Sequence, residues 1–305
     1  MGEMTYYFNG EWVPQDEVMI HPYDRGFTMG DVVFDVERTF DGKLFRLKEH
    51  MDRIHRSLQY YRIDPGISMD EMEALSEEAV RRNEHLRHLS GDFAVRQTVT
   101  RGRVPLATQG SPLDDLTATV IIAVDPLIWS HASQYDNGAA VVFPSIRSYS
   151  SLSLDPKAKH YSRGNFVQAQ LQAADMDPNA QPVLLDQNGN ITEGVASNFF
   201  VVKDGVIRTP SDSAILQGIS RMTVFDLADQ LNIPIVEEDL QPYDAYTADE
   251  AFLTNSVFQL LPVATIDKRR VGDEVPGPIS NQLLAAWSEM VGLDIVGQAL
   301  DQAKR

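Results

Sequence analysis

The sequence predicts an α/β protein of two domains. Its 305 residues exceed one small domain, and two blocks each interleave short strand-like segments with stretches of helical spacing. Between the blocks, residues 125–137 carry Pro126 and mixed polarity, the composition of a crossing. This divides the chain into a small N-terminal α/β domain, 1–125, a linker, 126–137, and a large C-terminal domain, 138–305.

Along the chain, Tyr6-Tyr7-Phe8 ahead of Asn9-Gly10 predicts a hairpin, because that dipeptide accepts the positive φ angles of a tight turn. Residues 32–40 and 93–99 alternate as strands do, and Leu47, Met51, Ile54 and Leu58 recur at the spacing of one helix face. The second block opens on an apolar run, 139–143, and predicts helices around 166–174 and 222–231. Leu283, Leu284, Trp287, Met290 and Val291 predict a docked helix near the end. No internal repeat or low-complexity tract interrupts this order.

Composition excludes several functions. With 43% apolar and 23% charged residues the mixture is that of a soluble globular protein. The first apolar segment, 4–8, is too short for a signal peptide and no apolar stretch approaches a membrane span, so a cytoplasmic location is expected. The absence of cysteine rules out disulfides, thiolate nucleophiles and Cys-ligated zinc. A net charge of −18 without a basic run argues against nucleic-acid and anionic-membrane partners. The seven histidines show no metal-ligand spacing, and no P-loop or Gly-x-Ser-x-Gly elbow occurs, so no metal or nucleotide site is expected.

One segment carries chemistry. Residues 191–200 place Glu193 and Asn198 in a small-residue turn between apolar strands. Lys159 lies 34 positions upstream, and Gly218-Ile219-Ser220 opens an amphipathic helix downstream. A carboxylate keeps a pyridine nitrogen protonated, a lysine amine forms an imine and shuttles protons, and a helix start with a nearby arginine binds a phosphate dianion. Together they read as a pyridoxal 5'-phosphate site.

The motifs extend further: Asp24-Arg25-Gly26-Phe27, then Gly30 to Asp35, then Phe45 to Arg53 with its His50-x-x-Arg53 helix, then the segments above. In this order, over about residues 8–267, the chain resembles the class IV aminotransferases, the fold type IV pyridoxal phosphate enzymes with a D-amino-acid aminotransferase-like fold. The resemblance implies a homodimer in which the partner lends a loop to each site, a cofactor between the domains, and ping-pong transfer of an amino group to a 2-oxo acid. It implies Lys159 rather than Lys157 as the cofactor lysine, since Lys159 alone stands fifteen residues before Ala174. Glu193 is then the partner of the ring nitrogen, Arg53 and the turn Gly218-Ile219-Ser220 hold the phosphate, and Asn255-Ser256 adds a hydroxyl. Asn198 fixes either the surrounding backbone or the cofactor's phenolic side.

The resemblance assigns substrate contacts to Phe34, Val36, Arg38, Arg96, Arg101, Arg103, Arg163, Val257 and Phe258. Apolar Phe34 and Val36, the string 41–47 and Asp155-Pro156 ahead of Ala158-Lys159 are similar to (R)-selective amine transaminases, the leading expectation. Arg96 stands where branched-chain L-amino-acid transaminases bind a carboxylate, the first alternative, although Ala94 replaces the usual Tyr. Leu106 and Thr108 replace the basic pair of D-amino-acid transaminases, which weakens that reading, and an aminodeoxychorismate-type lyase is a further competitor. Arg163 either binds an acid group or faces solvent. The loop 101–110 is expected to swing Arg101 or Arg103 toward the acceptor's carboxylate.

Overall fold

The protein is described here by a computed structural model that covers residues 3–104 and 113–304. It resolves into two compact units, Met1–Ile128 with Ala158–Ser162, and Trp129–Lys157 with Arg163–Arg305. The segment 158–162 departs from the expected boundaries, because its backbone is bonded into the first unit.

The first unit is built on a six-stranded sheet of β1 (Thr5–Phe8), β2 (Glu11–Pro14), β3 (Val32–Phe40), β4 (Lys43–Leu44), β5 (Phe93–Thr100) and β6 (Thr119–Pro126), in the order β2-β1-β6-β5-β3-β4. The hairpin of β1 and β2 turns at Asn9 and Gly10, both with positive φ. A short helix, α1 (Arg25–Met29), precedes β3, and two longer ones, α2 (Leu47–Tyr61) and α3 (Met69–Asn83), follow it. The spacing of Leu47, Met51, Ile54 and Leu58 does what it predicts: all four are buried, packed with Val33, Val95, Val99 and Ile122 of the sheet. Ser68 and Glu71 form a reciprocal capping box that starts α3.

β3 and β5 run antiparallel with Phe34 opposite Thr98, Asp35 opposite Gln97 and Val36 opposite Arg96. Directly opposed residues share a face and successive residues alternate. Asp35, Glu37 and Gln97 therefore turn inward with Val33, Val95 and Val99, while Phe34, Val36 and Arg96 take the other face. The inward set is wholly buried.

The second unit contains α4 (Gln134–Asn137), β7 (Ala139–Val142), α5 (Gly164–Met176), β8 (Gln181–Leu185), β9 (Ile191–Gly194), β10 (Asn198–Lys203), β11 (Val206–Pro210), α6 (Ile219–Gln230), β12 (Ile235–Glu238), α7 (Pro242–Tyr246), β13 (Glu250–Asn255), β14 (Gln259–Ile266), β15 (Arg269–Arg270), α8 (Pro278–Val291) and α9 (Ile295–Gln302). Its strands run β12-β11-β10-β13-β14-β7-β8-β9, with β15 on β14, and β9 also pairs with β10. The path thus returns to β10, and the pair that closes it is Asn198 opposite Glu193. The expected C-terminal helix is α8, whose Leu283 and Trp287 are fully buried and whose first N–H groups, of Ile279 and Ser280, donate to the Glu250 carboxylate.

Gly102 lies two residues past β5, the strand that carries Arg96. Its φ is +93°, and a Cβ there would lie 1.8 Å from the Thr117 carbonyl oxygen. Gly10 has a similar φ of +97° with nothing within 4 Å. Gly102→Ala should lose more stability in denaturant unfolding than Gly10→Ala, whose cost is the backbone strain alone, about 1–3 kcal/mol. Equal losses would show that the contact with Thr117 is not a constraint.

Candidate functional site

Lys159 is placed by strand-like bonding at the start of β3. The Phe34 N–H donates to the Lys159 carbonyl (3.1 Å) and the Tyr161 N–H to the Val32 carbonyl (3.3 Å), with His160 bridged to Val33. The Lys159 N–H donates to the Ser57 hydroxyl (3.1 Å), which donates in turn to the Arg53 carbonyl one helical turn back in α2 (3.0 Å). One serine therefore ties the backbone of Lys159 to that of Arg53. The Lys159 Nζ lies 4.7 Å from the centroid of Phe34, and Tyr161 stacks on that ring at 3.9 Å and 12°. Lys157, by contrast, is exposed.

Arg53 projects from α2 toward β3 and is 4% exposed. Its Nε donates to Asp35 Oδ2 (2.8 Å) and its Nη2 to Asp35 Oδ1 (2.5 Å). His50, one turn earlier, donates from Nδ1 to the same Asp35 Oδ1 (2.8 Å). Burial pushes the Asp35 carboxyl up, but the charges of Arg53 and His50 and their hydrogen bonds outweigh it and hold the group far below the usual carboxylate range. Burial pushes the His50 imidazole down, and the Asp35 charge and hydrogen bond offset part of that push.

Glu37 lies two residues along β3 on the same inward face. Its Oε1 accepts from Gln97 Nε2 (2.6 Å), which also donates to Ser76 (2.9 Å), and its Oε2 has no hydrogen-bond partner among the described residues. Burial, then the neighbouring Asp35 charge, raise its pKa well above the ordinary value, so it is a neutral acid. Ligand atoms of Asp35, Glu37 and His50 lie within 4.8 Å of one another, a donor set of the kind that holds a cation. The cation this set faces is the Arg53 guanidinium.

In the second unit, closing the sheet brings Glu193 beside Asn198. Glu193 Oε2 accepts from the Leu216 N–H (2.9 Å) and from Asn198 Nδ2 (3.4 Å), while Asn198 Nδ2 also donates to the Leu216 carbonyl (2.9 Å). Asn198 thus acts on the backbone of the turn that leads into α6. Gly218 caps α6 without a side-chain bond, and a Cβ there would fall 2.1 Å from Asn198 Oδ1. The first N–H groups of a helix have no partner within it, so the turn at Gly218, Ile219 and Ser220 presents donors and a positive dipole end to an anion. Asn255 and Ser256 stand at the same end of the sheet, since Asn198 is paired with Thr254. Asn255 Oδ1 is used locally, accepting from the N–H groups of Val257 (2.8 Å) and Phe258 (2.9 Å).

The other residues expected to contact substrate lie in varied surroundings. Arg38 is 1% exposed, lies 4.2 Å over the Phe40 ring, donates to the Thr39 carbonyl and pairs with Asp92. Arg101 is bonded to Asp31 through Nε (2.7 Å) and to the carbonyls of Arg62 and Tyr61, which fastens it in place rather than leaving it to swing. Phe258 is buried against His131, with centroids 5.7 Å apart. Arg163 lies 4.3 Å over the Phe166 ring. Arg103 is exposed, Val257 is half-buried, and Pro105, Leu106, Thr108 and Gly110 of the expected swinging loop fall outside the described residues.

Arg96 differs from the buried arginines. Its side chain is exposed, and among the described residues its guanidinium has no hydrogen-bond or ion-pair partner. It shares a sheet face with Val36 and Phe34, about 7 Å along the strand from Phe34 at two residues' rise. The Lys159 amine and the Arg96 cation therefore flank the same apolar surface.

Sequence reasoning missed the supporting set of Asp35, His50, Ser57 and Tyr161. The alternation of β3 was the signal for Asp35, since it sets that residue opposite to Phe34. Nothing local marks Ser57 or Tyr161, whose partners lie about 100 or more residues away in the chain.

Residues 32–266 match the family described as amino-transferase class IV. The chain is 35% identical to a Methanocaldococcus jannaschii protein provisionally named a branched-chain-amino-acid aminotransferase, over 94% of this chain and 96% of that one. It is 30% identical to the D-alanine aminotransferase of Bacillus licheniformis, over 94% and 97%. Among solved structures it is similar to the branched-chain amino acid aminotransferase of Thermobaculum terrenum in its PLP-bound holo form, with a TM-score of 0.82, 26% identity and coverage of 97% and 95%.

The buried acid gives a pH test. The folded state keeps a proton on Glu37 that the unfolded chain releases near its ordinary pKa of 4.5, so stability is lost as pH rises from there toward the raised folded value. Glu37→Gln, which cannot ionise, should gain in melting temperature over the parent, with the gain widening upward from about pH 5. A difference that stays constant with pH would mean that Glu37 is not held neutral.

Proposed function

Because the chain belongs to the class IV aminotransferases and works with pyridoxal phosphate, we propose that it moves the amino group of a branched-chain L-amino acid to a 2-oxo acid. The observation that carries the donor assignment is Arg96, an exposed cation beside the apolar surface of Phe34 and Val36 and on the Lys159 side of the sheet. An amino acid with a branched apolar side chain offers one group for each feature: a carboxylate for Arg96, an amine for the lysine end, and methyl groups for the rings. The names of the relatives support a donor that carries a carboxylate.

The residues present fit the cofactor. Gly218 leaves the Asn198 amide room against the turn, the start of α6 offers N–H donors, and Lys159, Glu193 and Arg53 are the charged groups that the cofactor calls for. By the family reading Arg53 of the first unit, and the Gly218-Ile219-Ser220 turn of the second, would each offer donors to the phosphate, Glu193 would partner the ring nitrogen, and Asn198 keeps that carboxylate against the turn. Bound pyridoxal phosphate supplies the electron sink that makes the donor's Cα–H acidic. Lys159 Nζ would be the base that takes the donor's Cα proton and holds it for return. Glu193 would keep the ring nitrogen protonated by favouring its charged form. Phe34, stacked on Tyr161, presents an aromatic wall to the Lys159 side chain.

A homodimer follows the same family reading. Met19, Phe27 and Met29 are among the exposed apolar residues of the first unit, and a second copy covering them would bury that surface. Sedimentation at twice the monomer mass supports this, and monomer mass at micromolar concentration contradicts it.

A second reading, an (R)-amine donor without a carboxylate, is favoured by Val36 beside Phe34. Arg96→Ala separates the two. It should raise KM for L-leucine about tenfold to a hundredfold, the worth of a charge-assisted hydrogen bond, and leave (R)-1-phenylethylamine unaffected. An unchanged KM for leucine contradicts the branched-chain assignment.

A further inference from the structure

Asp35 and Glu37 lie on the sheet face opposite Phe34 and Val36, with His50 against them, and all three are fully or nearly fully buried around one arginine. Burying charge without a role in packing is costly, and replacing such a group by an apolar residue is often neutral or better for stability. The geometry is also more specific than charge balance requires. Two parallel bonds from Nε and Nη2 to one carboxylate define the plane of the Arg53 guanidinium, and a third bond, from His50 Nδ1, stops the carboxylate from turning. The Ser57 hydroxyl links the backbone of Arg53 to that of Lys159, so the plane is held relative to the cofactor lysine.

We propose that Asp35, steadied by His50, is the positioning residue that aims Arg53 at the cofactor's phosphate, and that this pair gives the site its preference for a phosphorylated cofactor. The proposal rests on the assignment of Arg53 to the phosphate. Asp35 is itself an anion, and by charge alone it weakens the pull of Arg53 on a phosphate. Its presence helps binding only through orientation, so charge and orientation predict opposite effects of removing it. Glu37 fits the same arrangement as a neutral neighbour: were it ionised beside Asp35, two carboxylates would face one guanidinium.

The test compares two ligands that differ in the phosphate alone. Full-length protein freed of cofactor is titrated with pyridoxal phosphate and with pyridoxal, and the ratio of the two Kd values, read from the absorbance of the bound chromophore, measures the phosphate grip. Asp35→Asn removes the charge but keeps the size. It should weaken pyridoxal phosphate binding by about tenfold to a hundredfold, with pyridoxal unchanged, as Arg53→Gln does. His50→Leu should lower the ratio in the same direction by less, and it carries the test if Asp35→Asn does not fold. If Arg53→Gln collapses the ratio while Asp35→Asn and His50→Leu leave it or raise it, Asp35 does not aim the arginine and the proposal falls. If Arg53→Gln itself leaves the ratio intact, the assignment of Arg53 to the phosphate is what fails.

Discussion

β3 works with both of its faces, and the first unit is organised around that alternation. Odd and even positions of one strand cannot share a face, so Phe34 and Val36 line the surface reached by Lys159 while Asp35 and Glu37 enter the interior. The doubly bonded Asp35–Arg53 pair then fastens α2 to the strand from within. Slipping the register by one residue would expose two acids and bury the substrate wall. The surrounding core of Val33, Val95, Val99, Met51 and Ile54 makes that slip expensive, and so it protects the chemistry as well as the fold.

The second unit reaches its geometry by a different constraint. The sheet path closes at the single pair of Asn198 with Glu193, and that pair is also the one that grips the turn before α6. Gly218 is required where the turn meets Asn198, because any side chain would occupy the space of the amide oxygen. Closure of the sheet, placement of the acid and presentation of the helix start are therefore one packing problem solved by three neighbouring segments. This accounts for an acid, an amide and a glycine spread over 26 residues behaving as one motif.

Much of this is legible in the sequence wherever periodicity or turn chemistry speaks. The limits of β3 follow from alternation, the face of α2 from its leucine, methionine and isoleucine spacing, and the first hairpin from Asn9-Gly10. The site residues come through the motif order of a family rather than through local physics. What stays hidden is decided by long-range contacts. Arg38 and Arg96 look alike in sequence, but Phe40 and Asp92 close over the first and leave the second exposed. Arg101 looks mobile beside its prolines and glycines, yet Asp31 and two carbonyls fasten it. The segment 158–162 carries no strand signal of its own. It is extended because β3 bonds to it.

Lys159 joins the parts of this account: its backbone is tied to Arg53, its amine faces Phe34, and the transfer chemistry needs its proton. Borohydride reduction of the coloured holoenzyme, followed by proteolysis and mass spectrometry, locates the lysine that holds the cofactor. The phosphopyridoxyl mass is expected on Lys159 alone. The same mass on Lys157, or on any other lysine, would contradict it.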